Sequence, residues 1–306
     1  MTNRARIIVF AYHEVGYRCL EWLLAQGEAI VAVFTHKDDP RERVWFRSVE
    51  DLARAHGLPV FTPSSLKEAD TEALIRALKP DIIYSFYYRY MLPGRLLQIP
   101  GRGAFNMHGS LLPRYRGRVP INWAIIQGEK ETGATLHHMV TRADAGDIVD
   151  QQAVPIEAND TARDVFLKVV TAAVAVLARH HAALCEGRGP RRAQDEGLAT
   201  TFGARTPEDG RITWSSPGRA IFDLVRALTE PYPGAFSEVR GERFLVWWGR
   251  PLVVPTGPAS TPGQVLSVEP LSIATGDGAF FIEKMEWARA QPLPPHEFVV
   301  GQQVGR

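Results

Sequence analysis

The chain has only two cysteines in 306 residues, Cys19 and Cys185. That scarcity excludes a disulfide-stapled scaffold and a cysteine-built zinc module; both thiols sit in apolar stretches and read as buried and free. An excess of either charge is missing too: 35 Lys and Arg stand against 34 Asp and Glu, a net +1. A balance this even exerts no general pull on nucleic acid or on an anionic membrane. No hydrophobic run in the sequence reads as the ~20 residues that a bilayer requires. The longest small-apolar stretch covers only 172–178. Arg4 and Arg6 lead into the apolar run 7–11, but Tyr12, His13 and Glu14 follow at once. No small-residue cleavage site intervenes, so no export signal is read. These absences predict a cytoplasmic protein without a membrane partner.

Familiar ligand motifs are lacking as well. The loop after the first apolar run, Tyr12-His13-Glu14-Val15-Gly16, holds one glycine, so the dinucleotide fingerprint is absent. No phosphate-cradling G-x-x-x-x-G-K-[ST] and no G-x-S-x-G nucleophile turn occurs. His13-Glu14 does not open a zinc-protease motif, because position 17 is Tyr. His137-His138 and His180-His181 lack carboxylate or thiol partners at ligand spacing, and neighbours on a strand face opposite sides. No metal is expected. The proline-rich stretch 291–295 reads as a loop.

What is present is the composition of a globular protein of about two domains, with 45% hydrophobic and 23% charged residues. Residues 6–11, 29–35, 81–85, 103–108, 133–140 and 147–154 read as strands, and 59–61 as extended. Residues 16–26, 44–56 and 70–78 read as helices, and 161–186 as a long one opened by Asp160. Strands alternating with helices predict a mainly parallel α/β sheet covered on both faces. The pattern changes after a linker-like stretch at 187–192. Short strands follow at 211–214, 236–239, 244–248, 263–268, 271–275 and 279–283, with a helix at 217–228. They predict a small barrel-like domain. The division expected is 1–203 and 204–306.

The densest polar segment is 103–118, which begins as a strand. Asn106 and His108, two apart, project to one face at its carboxyl end, where open α/β sheets place ligands. An amide and an imidazole side by side can hold a developing oxyanion. Asp144, in the acidic loop after 133–140, can reach His108 and favour its charged form. The same residues also read more plainly, as a turn-capping Asn, a loop-filling His and a self-bonded turn Asp.

Asn106-x-His108 with a later Asp144 resembles the 10-formyltetrahydrofolate-dependent formyltransferases. Segments 9–16, 85–92, 103–123, 142–148 and 202–207 carry the resemblance, which extends through 231–236 and 275–278. Residues 9–16 and 85–92 are most similar to the branch that formylates UDP-4-amino-4-deoxy-L-arabinose for lipid A modification and polymyxin resistance. The resemblance implies a Rossmann-like N-terminal formyltransferase domain and a smaller β-barrel-like (OB-type) C-terminal one. It implies 10-formyltetrahydrofolate as co-substrate, a nucleotide-linked aminosugar as acceptor, and no metal. Asn106, His108 and Asp144 would be catalytic. Tyr90, Met91, Leu92, Arg118, Val140, Thr141, Arg142 and Ala143 would contact folate or the ligands. The decarboxylating half that accompanies this domain in enteric bacteria has no counterpart up to Arg306. Whether His108 or Asp144 takes the amine proton stays open. Other readings are methionyl-tRNA formyltransferase, a different UDP- or dTDP-aminosugar acceptor, and a catalytically silent folate-binding protein. The loop 35–46 is short and mixed in charge, and only Arg114, Arg116 and Arg118 cluster near the strand, so tRNA is disfavoured.

Overall fold

The computed structural model describes residues 4–40, 42–252, 260–288 and 298–305. The stretch 291–295, expected as a loop, lies outside them. The chain divides into two compact units. The first comprises Met1–Pro120, Glu131–Val154 and Phe166–Gly203, and the second Ile121–Lys130, Pro155–Val165 and Ala204–Arg306.

In chain order the first part of the molecule runs β1 (Arg6–Ala11), α1 (His13–Ala25), β2 (Ala29–Phe34), α2 (Val49–Ala55), β3 (Val60–Phe61) and α3 (Ala69–Leu78). It continues with β4 (Ile82–Phe86), α4 (Gly94–Leu97), β5 (Gly103–His108) and β6 (Arg116–Gly117). After α5 (Pro120–Ile126), most of which lies in the second unit, come β7 (Glu131–His138), β8 (Ile148–Pro155), α6 (Ala162–Cys185) and β9 (Thr201–Phe202). Seven strands form one sheet in the order β3-β2-β1-β4-β5-β7-β8. The pairings from β3 through β5 are parallel, and β7 turns antiparallel against β5. β1 and β4 are buried along nearly their whole length, which is why their sequences are continuous apolar runs rather than alternating ones. This is the mainly parallel α/β sheet that the strand and helix periods predict, and the Rossmann-like one that the resemblance implies.

Several boundaries differ from expectation for local reasons. α1 begins at His13 rather than 16, with His13 itself left-handed at φ 64. Gly16 packs closely there, since a Cβ would lie 3.1 Å from the Phe86 carbonyl oxygen. α2 begins at Val49 instead of 44, because the Ser48 hydroxyl accepts the Asp51 N–H at 3.0 Å and fixes the start. The long helix α6 is opened by Thr161, not Asp160. Its hydroxyl accepts the Asp164 N–H at 3.2 Å while the Asp164 carboxylate accepts the Thr161 N–H at 2.9 Å. Asp160 instead accepts the Glu157 N–H. α6 is also long and apolar enough to cross a membrane, with 24 residues and a mean hydropathy of 1.4, contrary to the reading of the sequence. Half of its apolar window is buried inside the protein, and His181 on it bonds Tyr84 of the sheet at 3.0 Å. It is a core helix. The stretch 187–192 is no loose linker, because Arg192 pairs its backbone with Ile148.

The second unit contains α5, α7 (Gly218–Leu228), β10 (Ala235–Val239), β11 (Glu242–Leu252), β12 (Val265–Val268), β13 (Leu271–Ala274) and β14 (Ala279–Trp287). Its five strands form an antiparallel half-barrel sheet in the order β10-β11-β14-β13-β12. The strand expected at 211–214 is a single bridge from Arg211 to Phe236, because Trp214 turns inward and bonds Ser237 at 2.9 Å. α7 buries Ile221, Phe222, Val225 and Leu228, together with an Asp223–Arg226 ion pair at 2.6 Å.

Candidate active site

β5 ends the run of parallel strands and brings two neighbours to the residues of interest. Its register sets Asn106 opposite Ser85 of β4 on one side and opposite His137 of β7 on the other. His108 faces Thr135 in the same antiparallel ladder. Residues 106 and 108 therefore share a side, as their spacing predicts, and His137 joins them across the strands. The loop after β7 returns Asp144 to this group. Asp144 is left-handed, φ 51, a conformation that Asp tolerates better than most residues.

The structure brings Asn106, His108 and Asp144 together. Asp144 Oδ1 lies 3.4 Å from Asn106 Nδ2, 3.6 Å from His108 Nδ1 and 3.5 Å from His137 Nε2. Its Oδ2 accepts the Gly117 backbone N–H at 2.9 Å. Burial alone pushes the Asp144 carboxyl up, but His108, His137 and the Gly117 N–H outweigh it and hold the group well below the ordinary carboxylate range. Asp144 is thus an anion at neutral pH. His137 donates Nδ1–H to its neighbour's carbonyl, His138, at 2.9 Å, and turns Nε2 to both the Asn106 amide, at 3.1 Å, and Asp144. His108 meets acceptors on both sides: the Tyr115 carbonyl at Nε2, 2.7 Å away, and Asp144 at Nδ1. A protonated ring satisfies both, whereas a neutral ring sets one lone pair against an acceptor.

The three contacts to Asp144 Oδ1 are longer than good hydrogen bonds, so an incoming polar group can take them over without breaking a tight network. The rest of the frame is firm. Gln194 donates to the Asp144 and Gly146 carbonyls at 2.8 and 2.7 Å, holding the loop from outside. At Gly146 a Cβ would fall 1.8 Å from the His138 carbonyl oxygen. Gly146→Ala must therefore displace the loop that carries Asp144. A shift of about 1 Å at such a site typically costs about a hundredfold in rate. We expect that loss in kcat with most of the thermal stability kept, measured by steady-state kinetics beside a melting curve.

The proposed ligand contacts divide. Tyr90, Met91 and Val140 are exposed apolar residues, 41%, 57% and 41% accessible, and Thr141, Arg142 and Ala143 are exposed beside them. The two segments meet, since a Cβ on Gly94 would touch Thr141. Leu92 is buried in the core with Leu96 and Ile83. Arg118 is exposed, with its backbone N–H bonded to Phe202. Arg142 pairs with Glu196 at 2.9 Å. Arg116 is not part of a surface arginine cluster: it is fully buried and bonded to Gln194 and Glu196. His138, His180 and His181 go to separate partners, Pro190, Asp150 and Glu28. Sequence reading missed His137, Gly117, Tyr115 and Gln194. For His137 a signal existed, because an antiparallel β7 with two-residue period must place one histidine of the pair beside Asn106.

An amide, two imidazoles and a carboxylate gather at the carboxyl edge of the parallel strands, where open α/β sheets place their ligands. Residues 5–180 match the profile described as Formyl transferase, and residues 205–303 match Formyl transferase, C-terminal domain. The chain belongs to the formyl transferase family, a class of formyl-transferring enzymes. Among solved structures it is similar to an N-formyltransferase from Helicobacter canadensis in complex with folinic acid and dTDP-3-aminofucose. The identity is 20%, the TM-score 0.71, and 92% of this chain and 100% of that one are covered. A 4-N formyltransferase from Francisella tularensis is similar at 20% identity and TM-score 0.62, covering 76% and 91%. HypX from Aquifex aeolicus in complex with tetrahydrofolic acid is similar at 20% identity and TM-score 0.65, over 94% of this chain; the chain spans 45% of HypX.

Proposed function

We propose that this chain transfers a formyl group from 10-formyltetrahydrofolate to the amine of a nucleotide-linked aminosugar, and that the acceptor is UDP-4-amino-4-deoxy-L-arabinose. The observation that carries this reading is the Asn106–His108–Asp144 cluster at the end of β5, joined by His137. In this reading the acceptor amine attacks the formyl carbon as free base. The oxygen of the tetrahedral intermediate takes over the Asn106 amide donor and the His108 Nδ1–H, both now directed at Asp144. Asp144 keeps His108 oriented and relays the amine proton, directly or through water, to N10 of the folate as the bond from N10 to the formyl carbon breaks and tetrahydrofolate leaves. The folate donor is held along Tyr90, Met91 and the exposed edge of 140–143. A wall of rings supports a flat ligand there: His36 stacks on Tyr88 at 4.1 Å and meets Tyr90 edge-on at 4.7 Å. Exposed Arg118 is placed to take an acceptor phosphate, whereas Arg116 is buried and paired. That reassignment removes a cation from the field a tRNA would need.

The folate and aminosugar ligands of the similar proteins, dTDP-3-aminofucose among them, support an aminosugar acceptor and leave UDP against dTDP to experiment. We also propose the domain limits 1–203 and 204–306, supported by family matches ending at 180 and starting at 205, and a cytoplasmic location. The test is a panel of UDP- and dTDP-aminosugars offered with 10-formyltetrahydrofolate, following tetrahydrofolate release. UDP-4-amino-4-deoxy-L-arabinose is expected to turn over fastest, with methionyl-tRNA negligible and bulk tRNA not inhibitory at physiological salt. Faster turnover of a dTDP-aminosugar overturns the choice of acceptor, and formyl-methionyl-tRNA at a comparable rate overturns the class.

A further inference from the structure

We propose that Glu28, His181 and Cys185 form a binding site for a thiophilic divalent cation, best suited to Zn²⁺, separate from the formyl-transfer cluster. The three come from different places. Glu28 sits in the turn between α1 and β2, while His181 and Cys185 are one turn apart on the last stretch of α6 and so share a face. Glu28 stands at the amino end of β2, whereas Asn106 and His108 stand at the carboxyl end of β5, in the same parallel run of strands. The two sites lie at opposite edges of the sheet.

The distances suit a metal better than they suit a proton relay. His181 Nε2 lies 3.2 Å from Glu28 Oε1 and 3.4 Å from Cys185 Sγ. Tetrahedral Zn²⁺, with bonds of about 2.0 Å to N and O and 2.3 Å to S, separates N from O by about 3.3 Å and N from S by about 3.5 Å. All three donor atoms lie within 4.8 Å of one another, and the half-buried Glu28 carboxylate closes the remaining gap by rotating. The carboxylate faces Nε2, while Sγ stands over the ring, 3.4 Å from Nε2 and 3.9 Å from Nδ1, so a turn of the Cys185 side chain brings it onto the Nε2 axis. The other nitrogen, Nδ1, is 3.0 Å from the buried Tyr84 hydroxyl, the outer-shell partner that a metal-bound imidazole keeps. Trp22 stands edge-on to the ring at 5.6 Å, and Arg102 bonds the Cys185 carbonyl, so the imidazole and the Cys185 backbone are held while the thiol and carboxylate turn.

On binding, the metal takes the Nε2 lone pair, the ring proton resides on Nδ1 and is donated to Tyr84, and the Cys185 thiol releases its proton to solvent. One carboxylate, one thiolate and one neutral imidazole balance the dication, and water completes the fourth position. The ion would clamp the end of α6 to the entry of β2, a structural role that leaves the transfer chemistry alone.

The full chain, reduced and stripped of metal, is titrated with Co²⁺ and then Zn²⁺. One equivalent of Co²⁺ is expected, with thiolate-to-metal charge-transfer absorption that Zn²⁺ abolishes. Cys185→Ser should lose that absorption, and it and the more exposed Glu28→Gln should each weaken Zn²⁺ by at least about tenfold, whereas Cys19→Ser should change neither. Tyr84→Phe should weaken Zn²⁺ about 10- to 100-fold as an outer-shell change. Zn²⁺ should raise the melting temperature of the wild-type chain and of Cys19→Ser, but much less that of Cys185→Ser. No saturable binding at micromolar metal, a cobalt complex without thiolate absorption, or unchanged affinity in both Cys185→Ser and Glu28→Gln overturns the site. None of these readouts uses formyl transfer, so the result stands apart from the acceptor assignment.

Discussion

His108→Ala and Asn106→Ala are each expected to lower kcat by at least about two orders of magnitude, with tetrahydrofolate affinity nearly kept. A lost donor to a developing oxyanion typically costs about 2.7–4 kcal/mol, or roughly 10²–10³ in rate. The donors are unequal, and the geometry says how. Asn106 Nδ2 has one short bond, to His137 Nε2 at 3.1 Å, and one long one, to Asp144 at 3.4 Å. The long bond is the one an oxyanion can claim while His137 keeps the amide aligned. His108 is 6% accessible and anchored through Nε2 to the Tyr115 carbonyl, so its free direction is Nδ1, toward Asp144. Each alanine also leaves a buried partner unsatisfied, a stability cost of about 1–3 kcal/mol. Melting curves therefore accompany the kinetics, and His108→Gln supplies a neutral amide where alanine destabilises. A near wild-type kcat in a folded variant at either position would remove that residue from the oxyanion assignment. Because the interaction forms in the transition state, the loss should fall on kcat and kcat/KM alike and leave KM little changed.

The sequence carries the parts of this site that depend on period and misses those that depend on return. β1, β2 and β4 are legible because a strand covered on both faces is a continuous apolar run, and β5 as the extended start of the polar segment 103–118. The shared side of Asn106 and His108 then follows from a two-residue spacing. The half-barrel strands are legible as short runs between turns, although β11 and β14 run longer than their apolar cores, with bulges between Val246 and Gly249. What is not legible is where loops come back. Arg116 looks like a surface cation in a Pro-Arg-Tyr-Arg-Gly-Arg string, yet β6 pairs with β9 and buries it against residues 78 and 80 positions later. Gln194, just past the linker-like stretch 187–192, bonds the backbone of the Asp144 loop from 50 residues away. The thiol of Cys185 meets Glu28 only because α6 packs on the sheet. No local pattern encodes such pairings, which are fixed by the ladder and by the helix that covers it.

Asp144→Asn is expected to lower kcat about as far as loss of a donor, and to leave the acid limb of the pH profile in place. The acid limb of log kcat/KM belongs to the acceptor amine, which must be free base to attack, so in the wild type activity rises with pH. Asp144 cannot supply that limb. Its carboxyl is held well below the ordinary range by His108, His137 and the Gly117 N–H, which outweigh its burial, and it stays ionised throughout. Asparagine removes the anion and keeps the shape, so the rate should fall while the acid limb, set by the acceptor amine, stays in place. Stability gives an independent check with a definite sign. A carboxyl depressed in the folded state contributes stability that is fully present above its unfolded value of about 3.9 and is lost as pH falls through the folded one. The melting temperatures of wild type and Asp144→Asn should therefore differ by a constant amount at neutral pH and converge below about pH 4. A gap that persists unchanged into acid would mean that the carboxylate is not held by the cluster. An Asp144→Asn profile that overlays the wild type at undiminished rate would mean that Asp144 takes no part in the transfer.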